Sequence, residues 1–304
     1  MKVEDEILKI RKIKENSLKA YMIILKKLND NKVVDNLDFL LKKDNVMKLI
    51  DEKALTTRRN YLGAILVALP IVPESEEVLD FYKEKLSKVN EQYSDKIATH
   101  EKSESQEKNW SSLEELRDVY LEYKKVIKKD KYLQKEKLDS KEFNYLTNYL
   151  IVSLYTLMPP IRLDYIMKVI DKESDDDDKH NFLLNKSRNT KMFIINEYKS
   201  SKSYGKIKLK IPSELNSIIN LYLKFHKDKD NFILNSRGSG VTANNLGKMI
   251  TNAFSKYINK KITLNLLRHI YISENVTLAK DSDDSKLANK MQHSTSTQQK
   301  YIKV

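Results

Sequence analysis

The stretch FNYLTNYLIVSLYTLMPP, residues 143–160, contains the pattern that decides the fold. Apolar residues occupy almost every face of a helix through this stretch, which predicts a helix buried at the centre of its domain. These residues are Phe143, Leu146, Tyr149, Leu150, Val152, Leu154, Tyr155 and Leu157. Pro159-Pro160 ends the helix and places Arg162 just beyond a buried helix terminus.

A β region is predicted after this helix, with candidate strands at Tyr165–Ile170, Lys191–Ile195 and Lys206–Ile211. The third strand alternates apolar and lysine residues, which is typical of a strand with one buried face. Helical patterning returns after Pro212 and continues to residue 304. We therefore expect a mainly α protein with a small antiparallel β-sheet in its second domain.

Upstream, the first hundred residues show helical patterning, and the segment 99–110 is polar with no large aliphatic side chain. Such a composition favours an exposed linker. We predict a helical domain at 1–98, a linker at 99–110 and a second domain at 111–304. Ser111 or Ser112, followed by Glu114 and Glu115, resembles a capping box for a helix that ends near residue 129.

The composition limits the possible functions. Lys plus Arg number 56 against 43 acids, giving a formal net charge of +13, which favours a polyanionic partner, although a lysine-rich proteome would give the same balance. There is no cysteine, and the five histidines lack the spacing of zinc ligands, so no metal or other cofactor is predicted. With neither a signal-peptide core nor an apolar run of about 20 residues, we expect an intracellular protein outside the membrane.

Two acidic runs are interpreted as structural. Asp175–Asp178 could suggest a cation site, but a contiguous acidic run between strands is typical of a solvated loop. Asp281, Asp283 and Asp284 are predicted at the start of a helix, where acids interact favourably with the helix dipole.

Four residues in chain order could carry chemistry on a DNA phosphodiester: Arg162, Arg268, His293 and Tyr301. An attacking tyrosine hydroxyl requires cations on the phosphorane oxygens and a proton donor for the leaving 5′-oxygen. Arginine suits the first task because its planar fork clamps two phosphate oxygens, and histidine or lysine suits proton transfer. Singly, each has an ordinary alternative, such as a helix cap for Arg162 or packing for Tyr301; together, in this order, they favour catalysis.

Four motifs together resemble the tyrosine recombinase/integrase family: Pro-Pro-x-Arg-x-Asp at 159–164, YKSSKSYG at 198–205, Leu-Leu-Arg-His at 266–269, and HSTSTQQKY at 293–301. The match is closest to integrases of giant viruses, virophages and related mobile elements. The resemblance implies that Arg162 and Arg268 bind the scissile phosphate and that Tyr301 is the nucleophile. His293 would contact a nonbridging oxygen or assist proton transfer. Lys199 would protonate the 5′-oxygen, with Lys202 as the main alternative and Lys191 as a weaker one.

The chain departs from the family pattern at three places. Asn265 stands where the family usually has a histidine three residues before the second arginine, and an amide can donate a hydrogen bond but cannot shuttle a proton. Gln292 replaces a usual glycine, and the interval from His293 to Tyr301 is eight residues rather than nine. Only three residues follow Tyr301, whereas many relatives have a further segment that docks on a neighbouring protomer.

The resemblance implies a two-domain DNA clamp, made of a helical, SAM-like core-binding domain and a catalytic domain. The expected activity is metal-independent recombination of double-stranded DNA through a 3′-phosphotyrosyl intermediate, by a homotetramer that integrates or excises a viral or mobile element. The expected location is the host cytoplasm or nucleus, or a virion. Arg58, Arg59 and Lys202 are further candidates for DNA contacts. The alternatives are a type IB topoisomerase and a DNA-binding architectural protein whose catalytic set has decayed.

Overall fold

In the computed structural model, the described residues are 2–173, 179–228, 230–276 and 284–304, with the side chains of 284–286 excepted. The acidic residues Asp175–Asp178, Asp281 and Asp283, whose placement the sequence predicted, lie outside these ranges.

Helices make up most of the described residues. In chain order they are α1 Val3–Ile10, α2 Glu15–Leu28, α3 Lys43–Asp51, α4 Leu55–Ala68, α5 Glu76–Ala98, α6 Glu104–Asn109, α7 Leu113–Lys129, α8 Ser140–Thr156, α9 Ser201–Tyr204, α10 Ser213–Phe225, α11 Ala243–Ser255, α12 Leu264–Asn275, α13 Asp284–Lys290 and α14 Thr295–Gln299. Short 3₁₀ turns lie at Asp38–Leu41, Leu69–Ile71 and Tyr132–Gln134. Across the described ranges, none of these helices combines the length and the apolar character needed to cross a membrane.

The chain divides into two compact units, Met1–Thr99 and His100–Val304. In the first unit, α4 lies at the centre and packs against α2, α3 and α5, because its residues are apolar on most sides. The polar segment 99–110, predicted as a linker, belongs to the second unit from His100 onward and contains α6. Ser103 and Gln106 form a capping box that starts this short helix.

The second unit is built around α8, the helix predicted from the apolar stretch at 143–157. Its residues from Leu146 to Tyr155 are buried except Asn148, and it packs against α7, α10 and α11. Asp139 and Glu142 form the capping box at its start. Ser112 and Glu115 form the capping box of α7, and this helix ends at Lys129, which agrees with the predicted end near residue 129.

A four-stranded sheet in the order β1-β2-β3-β4 covers one side of this helical core, with β1 at Lys168–Ile170, β2 at Phe182–Asn185, β3 at Lys191–Ile195 and β4 at Ile207–Lys210. The β2–β3 and β3–β4 pairs are antiparallel, as expected, but β1 and β2 are parallel, so the sheet is mixed. Leu183, Phe193 and Leu209 face the main core, whereas Phe182, Leu184 and Ile194 form a small cluster on the opposite face.

Candidate active site

Arg268 is the centre of the candidate site. It lies on α12, which is capped by Thr263, and it is 1% exposed. Its guanidinium donates from Nη1 to the Pro160 carbonyl at 2.6 Å, from Nη2 to the Met291 carbonyl at 3.2 Å, and from Nε to the Tyr301 hydroxyl at 3.4 Å. One buried side chain therefore joins three segments that are distant in sequence.

Arg162 reaches the same region from the segment that follows α8. Its Nη1 donates to the Gln292 carbonyl at 2.9 Å, and its own carbonyl accepts a hydrogen bond from the Tyr155 hydroxyl at 3.0 Å. Gln292 adopts a left-handed conformation with φ of 62°, which is uncommon for a residue with a side chain. This explains why glycine suits the position, and the conformation of Gln292 turns its carbonyl toward Arg162.

Tyr301 follows α14, whose start is capped by Ser294. Its carbonyl accepts a hydrogen bond from His269 Nδ1 at 2.7 Å. The Tyr301 ring centroid lies 4.8 Å from that of His269 and 5.6 Å from that of His293, which is nearly parallel to it at 25°. The ring of the predicted nucleophile thus packs against two imidazole rings, and its hydroxyl accepts a hydrogen bond from Arg268.

His293 is 3% exposed, and its Nδ1 lies 3.1 Å from the Ser294 carbonyl. Because a carbonyl can only accept, Nδ1 carries a proton, and a neutral ring then leaves Nε2 as an acceptor. Nε2 is buried without a hydrogen-bond partner among the described residues. Burial and the nearby positive charges of Arg268 and Arg162 lower the pKa of His293 to about 4, so the ring is neutral at pH 7.

The site carries excess positive charge. Within the described residues, no carboxylate lies at ion-pair distance from either arginine. The carboxyl group of Asp164 interacts electrostatically with both arginines. Burial raises its pKa to about 6, although Arg162 and Arg268 both act to lower it. With this pKa Asp164 is ionised at pH 7 and offsets only one of the two positive charges, so the arginine pair is still suited to bind an anion such as a phosphate.

The turn between β3 and β4 touches this site through Ser200, whose hydroxyl donates to the Gln292 carbonyl at 3.1 Å. Lys199 precedes that contact and is exposed, and Lys202 is exposed on α9. Lys191, the weaker alternative, is 7% exposed and donates to the Ser187 and Arg188 carbonyls and to Asn220. Lys191 therefore holds the β2–β3 turn together.

Asn265, Arg58 and Arg59 each have surroundings within their own unit. Asn265 is exposed on the first turn of α12 and bonds to none of the other site residues in the described chain. In the first unit, Arg58 donates to the Asp51 and Lys53 carbonyls and thereby caps the end of α3. Arg59 donates to Asn90 at 2.7 Å and stacks on the Tyr93 ring at 4.0 Å. Both arginines thus have structural partners within their own unit.

The residues after Tyr301 dock within the second unit. Val304 N donates to the His100 carbonyl at 3.1 Å, His100 Nδ1 lies 3.1 Å from the Ile302 carbonyl, and Lys102 Nζ donates to the Val304 carbonyl at 2.8 Å. Ile302 is buried beside Met291. These contacts fix the backbone immediately after the predicted nucleophile.

Four residues of this region were not predicted as site residues: Asp164, Ser200, His269 and Gln292. Asp164 had a signal in the Arg-x-Asp spacing, and Gln292 had one in the replacement of glycine. Ser200 and His269 lie within the motifs at 198–205 and 266–269, but the motifs do not reveal their contacts, which are made with residues 92 and 32 positions away. Within the described part of the chain, no group of three or more His, Cys, Asp or Glu side chains is placed to hold a metal ion.

No protein-family model matches the sequence, and no curated protein matches it. Solved structures do match, and one of them is described as "Crystal structure of XerA recombinase". That similarity covers 99% of this chain and 93% of the other, with a TM-score of 0.42 and 14% sequence identity. It assigns no role to any residue of the site.

Proposed function

We propose that the protein is a tyrosine recombinase, which cleaves and rejoins DNA strands through a phosphotyrosyl intermediate. The observation that carries this proposal is the Arg268 side chain, which is buried, has no carboxylate at ion-pair distance among the described residues and donates to the Tyr301 hydroxyl. Arg162 and Arg268 both donate to backbone carbonyls of the short segment 291–293, which also contains His293. A phosphate bound by both arginines would be next to the nucleophile.

In the proposed reaction, the Tyr301 oxygen attacks the scissile phosphorus, a P–O bond to tyrosine forms, and the bond from phosphorus to the 5′-oxygen breaks. Lys199 transfers a proton to that oxygen, leaving a free 5′-hydroxyl and a 3′-phosphotyrosyl bond. Arg162 and Arg268 stabilise the negative charge that develops on the phosphorane oxygens. The covalent bond conserves the phosphodiester energy, so a 5′-hydroxyl from a second duplex can reverse the step.

His293 assists proton transfer in this proposal. Its Nδ1 carries the proton, so its unpartnered Nε2 is an acceptor before DNA binds. The proton that leaves Tyr301 can therefore pass to His293. Asn265 is exposed and carries an amide, which can donate to a phosphate oxygen but accepts no proton at neutral pH.

The proposed partner is double-stranded DNA, and the net charge of +13 favours such a polyanion. Residues 1–98 would form the core-binding domain, with Arg58 and Arg59 near DNA, and residues 111–304 the catalytic domain, with Lys202 as a further DNA contact. Four protomers would assemble on two duplexes to integrate or excise a viral or mobile element inside a host cell. No cofactor is required by this chemistry.

The test is covalent capture of DNA. Duplexes with a randomised region and a nick placed just 3′ of the potential cleavage position are incubated with the protein in the presence of a chelator. Cleavage next to the nick releases a short fragment, which prevents religation. Adducts that survive denaturation are isolated and sequenced. We expect an adduct with wild type and none with Tyr301→Phe, whereas Tyr21→Phe, a change at a half-buried tyrosine of the first unit, retains it.

The outcomes separate three activities. An adduct followed by strand exchange between two duplexes supports a recombinase. An adduct with relaxation of supercoiled DNA but no exchange would identify a type IB topoisomerase. DNA binding with no adduct across the whole pool would refute phosphotyrosine chemistry and leave an architectural protein.

A further inference from the structure

Two donors from different parts of the second unit share one acceptor, the carbonyl oxygen of Gln292. Arg162 Nη1 lies 2.9 Å from it and the Ser200 hydroxyl 3.1 Å from it. A carbonyl oxygen has two lone pairs and can accept both bonds at once. Gln292 itself has a positive φ of 62°. The positions of the Arg162 fork and of the β3–β4 turn are therefore tied to the same atom.

The β3–β4 turn is internally ordered. The buried Tyr198 donates its hydroxyl to the Gly205 carbonyl at 2.9 Å, and Gly205 N donates to the Ser201 carbonyl at 2.8 Å. Gly205 has a φ of 67°, a conformation that glycine adopts without strain. A turn closed in this way moves as one piece, so a single side-chain bond to the site can set the position of the whole turn.

Lys199 directly precedes the anchored serine and is exposed. Fixing the backbone near the target in advance reduces the conformational entropy that must be lost when a long lysine side chain reaches it. The Ser200 bond supplies that fixed point next to Arg162.

We propose that Ser200 is a positioning residue, which holds the Lys199 turn against the carbonyl that also fixes Arg162 and so places the lysine ammonium at the leaving 5′-oxygen. This inference rests on the proposed function. Ser200 acts through Lys199 and does not touch the reacting atoms. When the bond from phosphorus to the 5′-oxygen breaks, the proton comes from Lys199 Nζ, and Ser200 gives up none.

The experiment compares two forms of the nicked duplex under single-turnover conditions. One has the natural 5′-oxygen at the scissile position, and the other has a bridging 5′-sulfur, which leaves as a thiolate and needs no proton. We expect Ser200→Ala to slow cleavage of the oxygen substrate about 10- to 100-fold, the effect of a displaced catalytic group. The sulfur substrate should restore its rate to near that of wild type.

Three variants serve as controls. Lys199→Ala should show a larger defect on the oxygen substrate, about 10²- to 10⁴-fold, with the same rescue by sulfur. Ser200→Thr keeps the hydroxyl and should remain within a few-fold of wild type. Ser203→Ala removes an exposed hydroxyl from the same turn and should cleave both substrates at the wild-type rate.

The inference is overturned if Ser200→Ala cleaves the oxygen substrate at the wild-type rate. It is also overturned if this variant is equally slow on both substrates, because the defect would then lie in phosphate binding or folding. Wild-type protein that forms no adduct with either substrate would refute the proposed function itself. The failure of the two ideas can thus be told apart.

Discussion

The ionisation of His293 allows a quantitative prediction. Burial and the two arginines lower its pKa to about 4 in the folded protein, whereas the ordinary histidine value is 6.5. Between pH 6.5 and 4, His293 is therefore protonated in the unfolded chain but neutral in the folded protein. Stability from this group is fully present above pH 6.5 and is lost as the pH falls toward 4. The whole effect is roughly 3 kcal/mol, of which about 2 kcal/mol is lost by pH 5.

The single tryptophan gives a local probe of this loss. Trp110 lies in the second unit, next to α6, so its fluorescence reports on the unit that contains His293. Urea unfolding is measured at pH 7 and pH 5 for wild type and for His293→Asn, which keeps a donor near the Nδ1 position. We expect wild type to lose about 2 kcal/mol more than the variant does between these pH values.

The variant is needed because other groups titrate in the same range. Burial also lowers the pKa of His226 and His269, which adds pH dependence of the same sign, while the raised pKa of Asp164 acts in the opposite direction. The difference between wild type and His293→Asn in the loss of unfolding free energy does not contain these shared contributions. The direct measurement is an NMR titration of the imidazole signals, assigned by their loss in His293→Asn. A His293 signal that titrates near 6.5 would refute the argument.

Two further substitutions test the site and the fold. Arg268→Lys should lower the single-turnover rate of adduct formation about 10²- to 10³-fold. A lysine ammonium cannot bond to the Pro160 and Met291 carbonyls and to a phosphate at the same time. An unchanged rate would contradict this prediction. Ser112→Ala should cost about 1 kcal/mol of urea stability in the second unit through loss of the α7 cap, whereas Ser105→Ala, at an exposed serine in α6 that is no N-cap, should cost less than half as much.

Local patterns predicted the parts of the fold that local forces determine. The apolar stretch at 143–157 became the buried α8, and the Ser112–Glu115 pair became a capping box. The alternation at Lys206–Ile211 became β4, with Leu209 buried and Lys208 and Lys210 exposed. Each of these depends on contacts within a few residues or on one periodic face.

Two features escaped prediction for identifiable reasons. The strand Phe182–Asn185 is a short apolar run that is buried on both faces, and such a run has no alternation to distinguish it. The first strand begins at Lys168 rather than at Tyr165, because Tyr165 turns into the core and packs edge-on against Tyr155 and Phe193. In both cases, the residues that determine the local structure are distant in sequence.

The four principal site residues could be proposed from motif order, but their contacts could not. Arg162 bonds to a carbonyl 130 positions away, and Arg268 to one 108 positions away. Both acceptors are backbone atoms, which any residue supplies, so no residue type at 160 or 292 indicates the pairing. The contact of Ser200 could not be predicted for the same reason, because its acceptor is the Gln292 carbonyl to which Arg162 also donates.

For the proposed function, the electrostatics of the site link substrate binding to activation of the nucleophile. Without DNA, burial and the positive charges of Arg268 and Arg162 lower the pKa of His293 and keep it a weak base. A phosphodiester bound between the arginines would supply the missing negative charge and raise the pKa of His293. His293 would then accept the Tyr301 proton readily only when a phosphate is in place. Tyr301 would remain a poor nucleophile in empty protein, so the covalent step would be reserved for bound DNA.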